Sequence, residues 1–241
     1  MLTLAALAAV LLLTSGLHAQ TKRTTPAKPA PKPAAKPTAK PAAPEPPAPR
    51  IELAMLNCPQ VLGTGTQTMR TYCEVQAGND AAAGIIVTLP PHTGPVRLMF
   101  DLHNRHTYSA DLVKAKKAYT RYTARIGVLT MNNVLIARAA IASEFRTEAD
   151  LYDRISGGGP GGLKAVAPTG VEAIEVDIPE ENQTVSILGE RLSMVRLEDA
   201  DTYSTPGRPI ALISNVRVDY TPPPPPPPPK PARTTRTPAR R

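Results

Sequence analysis

Chemistry in this sequence is concentrated between positions 92 and 106, where His92, Asp101, His103 and His106 fall within fifteen residues. Imidazoles and carboxylates are the groups that zinc and similar metals take as ligands, and an imidazole is also the base that a serine, threonine or cysteine nucleophile requires. Two readings of Asp101-x-His103-x-x-His106 compete. In one, the four side chains hold a zinc ion and the protein is a metal-dependent hydrolase. In the other, Asp101 pairs across a sheet with Arg121 and Arg125, and the run from Asn104 to Thr107 opens an ordinary loop. The spacing favours the second reading. It matches no established ligand motif, and along a strand His106 lies an odd number of residues from Asp101 and His103. It joins them only if the strand ends between. His92 sits in the turn-like Pro90-Pro91-His92-Thr93-Gly94, from which it must fold back to meet the others.

Other candidate chemistry is thinner. The stretch Gly157-Gly158-Gly159-Pro160-Gly161-Gly162-Leu163-Lys164 brings glycines near a lysine, as phosphate loops do. A Walker-type loop needs the lysine directly after its last glycine and then Ser or Thr, whereas Leu163 precedes Lys164 and Ala165 follows it. No Gly-x-Ser-x-Gly occurs, and Ser186 and Ser214 lie inside strand patterns among apolar neighbours, as structural serines do. Carboxylate pairs such as Glu172 with Glu175, Glu180 with Glu181 and Asp199 with Asp201 fall on outer strand faces and turns, where carboxylates stay solvated. No residue is assigned as catalytic. Cys58 and Cys73, the only cysteines, are fifteen positions apart and read as a disulfide in an oxidising compartment.

The elements that must position these residues are strands. Val96, Leu98, Phe100 and Leu102 alternate with Arg97, Met99, Asp101 and His103, the period-2 pattern of a half-buried strand. Ten such runs are expected, at 51–56, 71–77, 84–89, 96–103, 118–129, 134–143, 171–178, 185–188, 191–197 and 210–220. Leu188-Gly189-Glu190-Arg191 has the composition of a type II′ hairpin. In the last run Ile210, Leu212, Ser214, Val216, Val218 and Tyr220 share a face by parity, and a short helix suits 148–155. The fold class is therefore all-β: a single β-sandwich, jelly-roll or immunoglobulin-like, over residues 51–220. The ending Ile213-Ser214-Asn215-Val216-Arg217-Val218-Asp219-Tyr220 resembles the final strand of some jelly-roll carbohydrate-binding modules. That resemblance implies glycan binding, but such modules rely on exposed aromatic platforms and this chain has no Trp.

Both ends differ sharply from the middle. Residues 2–17 are nearly all Leu, Ala and Val, and Leu17-His18-Ala19 before Gln20 reads as a signal-peptide cleavage site, although no Lys or Arg precedes the apolar run. Residues 20–50 form a Pro/Lys/Ala-rich linker in which Lys28, Lys32, Lys36 and Lys40 recur every fourth position. In a polyproline II helix of about three residues per turn, that period distributes the charge all round the rod. Spacers of this composition resemble those of TonB-type periplasmic proteins. Residues 221–241 begin with eight prolines, Pro222 to Pro229, and end in the basic tail of Lys230, Arg233, Arg236, Arg240 and Arg241. Neither end buries enough apolar surface to order itself.

Charge follows the same division. Residues 21–50 carry seven basic groups against Glu45, a charge of +6, and residues 221–241 carry +5. Since the chain totals +8, the middle is at −3, and the basic character belongs to the ends. A mildly acidic domain excludes specific nucleic-acid binding as the reading of the overall charge. The sequence describes an exported, non-catalytic binding or scaffolding module of the bacterial cell envelope. Its ends attach by charge to an anionic envelope polymer, its domain meets another envelope protein or ligand, and no span crosses the membrane once the signal is removed. Zinc enters only through the hydrolase alternative.

Overall fold

The computed structural model of the chain describes residues 47–155 and 165–226. The readings made on the leader, the lysine-bearing linker, the glycine run at 157–162 and the basic C-terminal residues lie outside them. Alternation of apolar and polar residues is carried by twelve strands: β1 (Arg50–Leu53), β2 (Met55–Asn57), β3 (Val61–Thr64), β4 (Thr71–Gln76), β5 (Ile85–Thr88), β6 (Val96–Tyr108), β7 (Thr120–Thr130), β8 (Leu135–Phe145), β9 (Ala165–Ile178), β10 (Thr184–Arg196), β11 (Ala200–Tyr203) and β12 (Pro209–Tyr220). They form two antiparallel six-stranded sheets. The first has the order β3-β4-β12-β6-β9 with β1 also on β12; the second has β2-β5-β10-β7-β8 with β11 also on β10. Inner-face side chains of both, among them Leu98, Phe100, Ile126, Val128, Ile187 and Val218, meet in one core cluster. The protein is a β-sandwich.

Where the strands depart from expectation, the reason lies in contacts distant in sequence. The run 51–56 is not one strand. The chain crosses between sheets at Ala54, whose N–H is bonded to the Val216 carbonyl at 3.0 Å, so β1 joins the first sheet and β2 the second. The expected hairpin at Gly189 does not form, because β10 runs unbroken past it with only a register shift against β7. Glycine is required there by crowding: a Cβ would lie 2.6 Å from Ile210 Cδ1 and 2.9 Å from the Gln76 carbonyl oxygen. In place of the helix at 148–155 there is one 3-10 turn, Glu148–Asp150, followed by an extended strap.

Two bulges then set which side chains face inward. In β12 the register against β6 shifts between Ser214 and Arg217, with Asn215 in the left-handed region at φ 54°. The extra residue switches the parity of the strand. Val216, Val218 and Tyr220 therefore point into the main core alongside Ala211 and Ile213, while Leu212 joins Tyr72 and Ile155 in a separate cluster. The expected single face from Ile210 to Tyr220 is corrected accordingly. In β9 the register against β6 shifts at Gly170, φ +71°. That insertion leaves β6 itself regular, so β6 continues to Tyr108 instead of stopping at His103.

The disulfide forms between Cys58 and Cys73, Cα atoms 5.9 Å apart. Cys58 follows β2 in the second sheet and Cys73 belongs to β4 in the first, so the bond ties the two layers at their edge. The loop-entropy argument gives about 3 kcal/mol for a ring of this size. Replacing both cysteines by serine is expected to lower unfolding free energy by about that amount in urea titrations, with the folded far-ultraviolet spectrum retained.

Candidate functional site

The three histidines do not converge. His92 stays in its turn, with Nδ1 2.8 Å from the Pro90 carbonyl and Nε2 3.1 Å from that of Glu180. His103 and His106 lie three residues apart on the uninterrupted β6 and so occupy opposite faces. Among the described residues no group of three or more His, Cys, Asp or Glu side chains could hold a metal ion. The His92–Asp101–His103–His106 cluster is thus corrected to three separate environments. The pairing of Asp101 with Arg121 and Arg125 is also corrected, since β7 belongs to the other sheet. Asp101 instead takes Arg70 Nη1 at 2.5 Å and Asn215 Nδ2 at 3.2 Å, while Arg125 lies 3.9 Å from Glu190.

His103 lies on the outer face of the first sheet, beneath the strap of residues 151–155. It is fully buried, with its ring 4.9 Å from that of Tyr152. Nδ1 is 3.0 Å from the Gly170 carbonyl and Nε2 is 2.9 Å from Ser214 Oγ. A carbonyl only accepts, so the ring proton sits on Nδ1 and the Ser214 hydroxyl donates to Nε2. A serine donating to an imidazole held from behind is the relationship that nucleophilic dyads use. Here both side chains are sealed, Ser214 at 2% exposure, and no substrate atom reaches the hydroxyl. Burial pushes the His103 pKa below its ordinary value.

Asp153 fastens the strap. Its carboxylate accepts from the backbone N–H groups of Gln67 and Thr68 and from the hydroxyls of Thr68 (2.5 Å) and Tyr72 (3.0 Å). Burial alone would raise its pKa, but these bonds together hold it below the usual carboxylate value. Ile155 seats on Tyr72 and Leu212.

His106 faces the other way, between the sheets, at 5% exposure. Its ring lies on that of Phe145, centroids 3.8 Å apart, and Nδ1 is hydrogen-bonded to the Tyr122 hydroxyl. Nε2 has no hydrogen-bond partner among the described residues. Burial lowers the His106 pKa to about 4 and raises that of Tyr122 to about 12, so both are neutral at physiological pH. His106 lines a cavity of about 460 Å³ at one end of the sandwich, a volume in the range of small-molecule sites. Leu192, Met194, Phe145 and Tyr203 supply apolar wall; Arg105, Lys117, Arg196 and Arg208 also line it, and no acidic residue does among those described.

The chain matches no protein-family model and no curated protein. The site therefore rests on its own geometry. The cavity was not anticipated from the sequence, yet one signal for it was present. Asn104, His106 and Tyr108 continue the even-numbered inner face of Val96 to Leu102 without a break, and polar residues at core positions mark a place where packing gives way to something else.

Two outcomes follow. Asp153→Ala leaves several buried donors unmet and is expected to cost about 3–5 kcal/mol in chemical unfolding, against a smaller loss for Asp153→Asn. For His106, the unfolded chain binds its proton near pH 6.5 and the folded protein only near pH 4. Its neutral burial therefore contributes fully above pH 6.5, and that contribution, on the order of 3 kcal/mol, is lost as pH falls towards 4. Melting temperature should drop across this window, with a shallower slope in His106→Phe; a flat profile from pH 7 to 4.5 contradicts the assignment.

Proposed function

We propose that the protein is an exported, non-catalytic binding module of the bacterial cell envelope. Its basic proline-rich ends hold it to anionic polymers, and a ligand occupies the cavity between its sheets. The observation that carries this reading is the cavity itself. A recess of small-molecule size with mixed apolar and basic walls and a buried imidazole of perturbed pKa is a composition that suits a ligand site. The sealed hydroxyl of Ser214 argues against nucleophilic catalysis at His103.

Export is supported by the leader-like Leu2 to Ala19 and by the disulfide, which persists in oxidising compartments. Among the described residues no helix is long and apolar enough to cross a membrane. Attachment is supported by the placement of charge: +6 and +5 on the two ends and −3 on the domain. The domain is net negative and does not attract an anionic polymer by its overall charge, so retention falls to Lys28, Lys32, Lys36, Lys40, Lys230, Arg233, Arg236, Arg240 and Arg241.

Co-sedimentation of the full chain with anionic envelope polymer tests the attachment. Binding should weaken steeply as salt rises from 50 to about 500 mM, where screening shortens to a few ångströms. It should be largely lost when those nine residues are changed to glutamine. Retention unchanged by salt and by the nine substitutions contradicts the reading.

A further inference from the structure

Proton placement on the His106–Tyr122 pair determines what the cavity offers. The Tyr122 hydroxyl has His106 Nδ1 as its hydrogen-bond partner, and a neutral phenol with a nitrogen acceptor in reach donates to it. A neutral imidazole that accepts at Nδ1 carries its own proton on Nε2. With the hydroxyl donating, Nε2–H is a buried donor without an acceptor among the described residues. Native structures rarely leave such a donor unmet, so it calls for an oxygen from outside the chain.

The mouth of the cavity asks for charge. Arg196 is committed to Asp199 at 2.9 Å and Asp201 at 2.8 Å, Lys117 lies 3.8 Å from Glu198, and Arg105 lies 2.9 Å from Glu74. Arg208 makes no ion pair among the described residues. Its guanidinium carbon sits 3.6 Å from the centroid of the Tyr203 ring. Stacking holds the group flat, it makes no side-chain hydrogen bond among the described residues, and Asp201 lies near enough to feel its charge. A planar guanidinium so placed can take a carboxylate or phosphate in two parallel bonds. Arg208 is exposed and His106 buried, and both line the same cavity.

We infer that the cavity binds an amphipathic organic anion, its carboxylate or phosphate on Arg208, its apolar body along Leu192, Met194 and Phe145, and an uncharged oxygen accepting from His106 Nε2–H. This deepens the reading of the cavity as the ligand site and rests on it. Neutral His106 at the floor suits an uncharged acceptor such as a hydroxyl or carbonyl, while the charged group stays at the wetter end, where its desolvation costs least.

Calorimetry on the full chain with four probes tests the inference: 8-hydroxyoctanoate, 8-hydroxyoctyl phosphate, octanoate and 1,8-octanediol. The two hydroxylated anions should bind tightest, with the one that wins identifying the head group. Octanoate, lacking the inner oxygen, and octanediol, lacking the charge, should each bind about tenfold more weakly or worse. Arg208→Gln should abolish the preference for anions, and His106→Phe the preference for 8-hydroxyoctanoate over octanoate. If His106→Phe fails to fold, the comparison of those two probes on the unaltered protein carries the same information, read together with the His106 ring resonances. Octanediol binding as well as 8-hydroxyoctanoate overturns the anionic class and leaves the cavity as a ligand site. Octanoate equalling 8-hydroxyoctanoate overturns the role of Nε2–H. If no probe moves the His106 resonances, the cavity reading itself falls.

Discussion

Desolvation of polar groups on β6 is the constraint on which the rest of this structure depends. A strand in a sandwich ordinarily sends apolar side chains inward and polar ones to water, and β6 begins that way from Val96 to Leu102. Beyond Leu102 it buries polar side chains on both faces: Asn104 and His106 inward, His103 outward. Each must recover the hydrogen bonds it gave up, because an unmet buried donor or acceptor costs about as much as a typical core truncation. The recovery comes from elements far away in sequence. Gly170 and Ser214 serve His103, Ser143 accepts from the Asn104 amide while Asn104 Oδ1 stays unmet among the described residues, and Tyr122 serves His106 at Nδ1.

Those partnerships explain the irregularities around β6. The bulge at Gly170 lies opposite His103, and the Gly170 carbonyl accepts from that ring; the bulge at Asn215 restores the inward face of β12 and brings its amide to Asp101. Covering the outer face then requires a strap, and Asp153 holds it by accepting from groups more than eighty residues earlier in the chain. Two cavity-lining residues of β6 keep a buried nitrogen without a hydrogen bond among the described residues: Arg105 Nε, which still has the Glu74 carboxylate 2.9 Å away, and His106 Nε2, which has no such neighbour. At His106 Nε2 no acceptor is present among the described residues, and side chains from both sheets line the cavity there.

Local pattern made part of this legible. The alternation from Val96 to Leu102 identified a core strand, the paired cysteines identified the cross-link, and repeated strand-length runs identified an all-β sandwich. Features whose cause is nonlocal were not. Gly189 has the composition of a hairpin turn, and only the approach of Ile210 and Gln76 reveals that it sits within a strand because nothing larger fits. Parity along β12 fails because one asparagine adopts a left-handed backbone, which composition does not announce. The polar run after Leu102 looks like a loop when read by hydropathy and like continued strand when read by parity; its partners, 16 to 111 positions away, decide for parity. Asp101 likewise found Arg70 in place of Arg121 or Arg125, since sheet order is set by the whole topology.

The proposed function divides between charge and shape: ends rich in proline and basic residues would supply diffuse attachment, and the net-negative domain would select through its recess. Central to that proposal are two neutral histidines of opposite tautomeric form on β6, one closed by the protein and one lining the cavity. A long-range proton–nitrogen correlation spectrum of the histidine rings at pH 7 tests that most directly. His103 should carry its proton on Nδ1 and His106 on Nε2, both rings uncharged. Finding the His106 proton on Nδ1, or finding that ring charged, contradicts it.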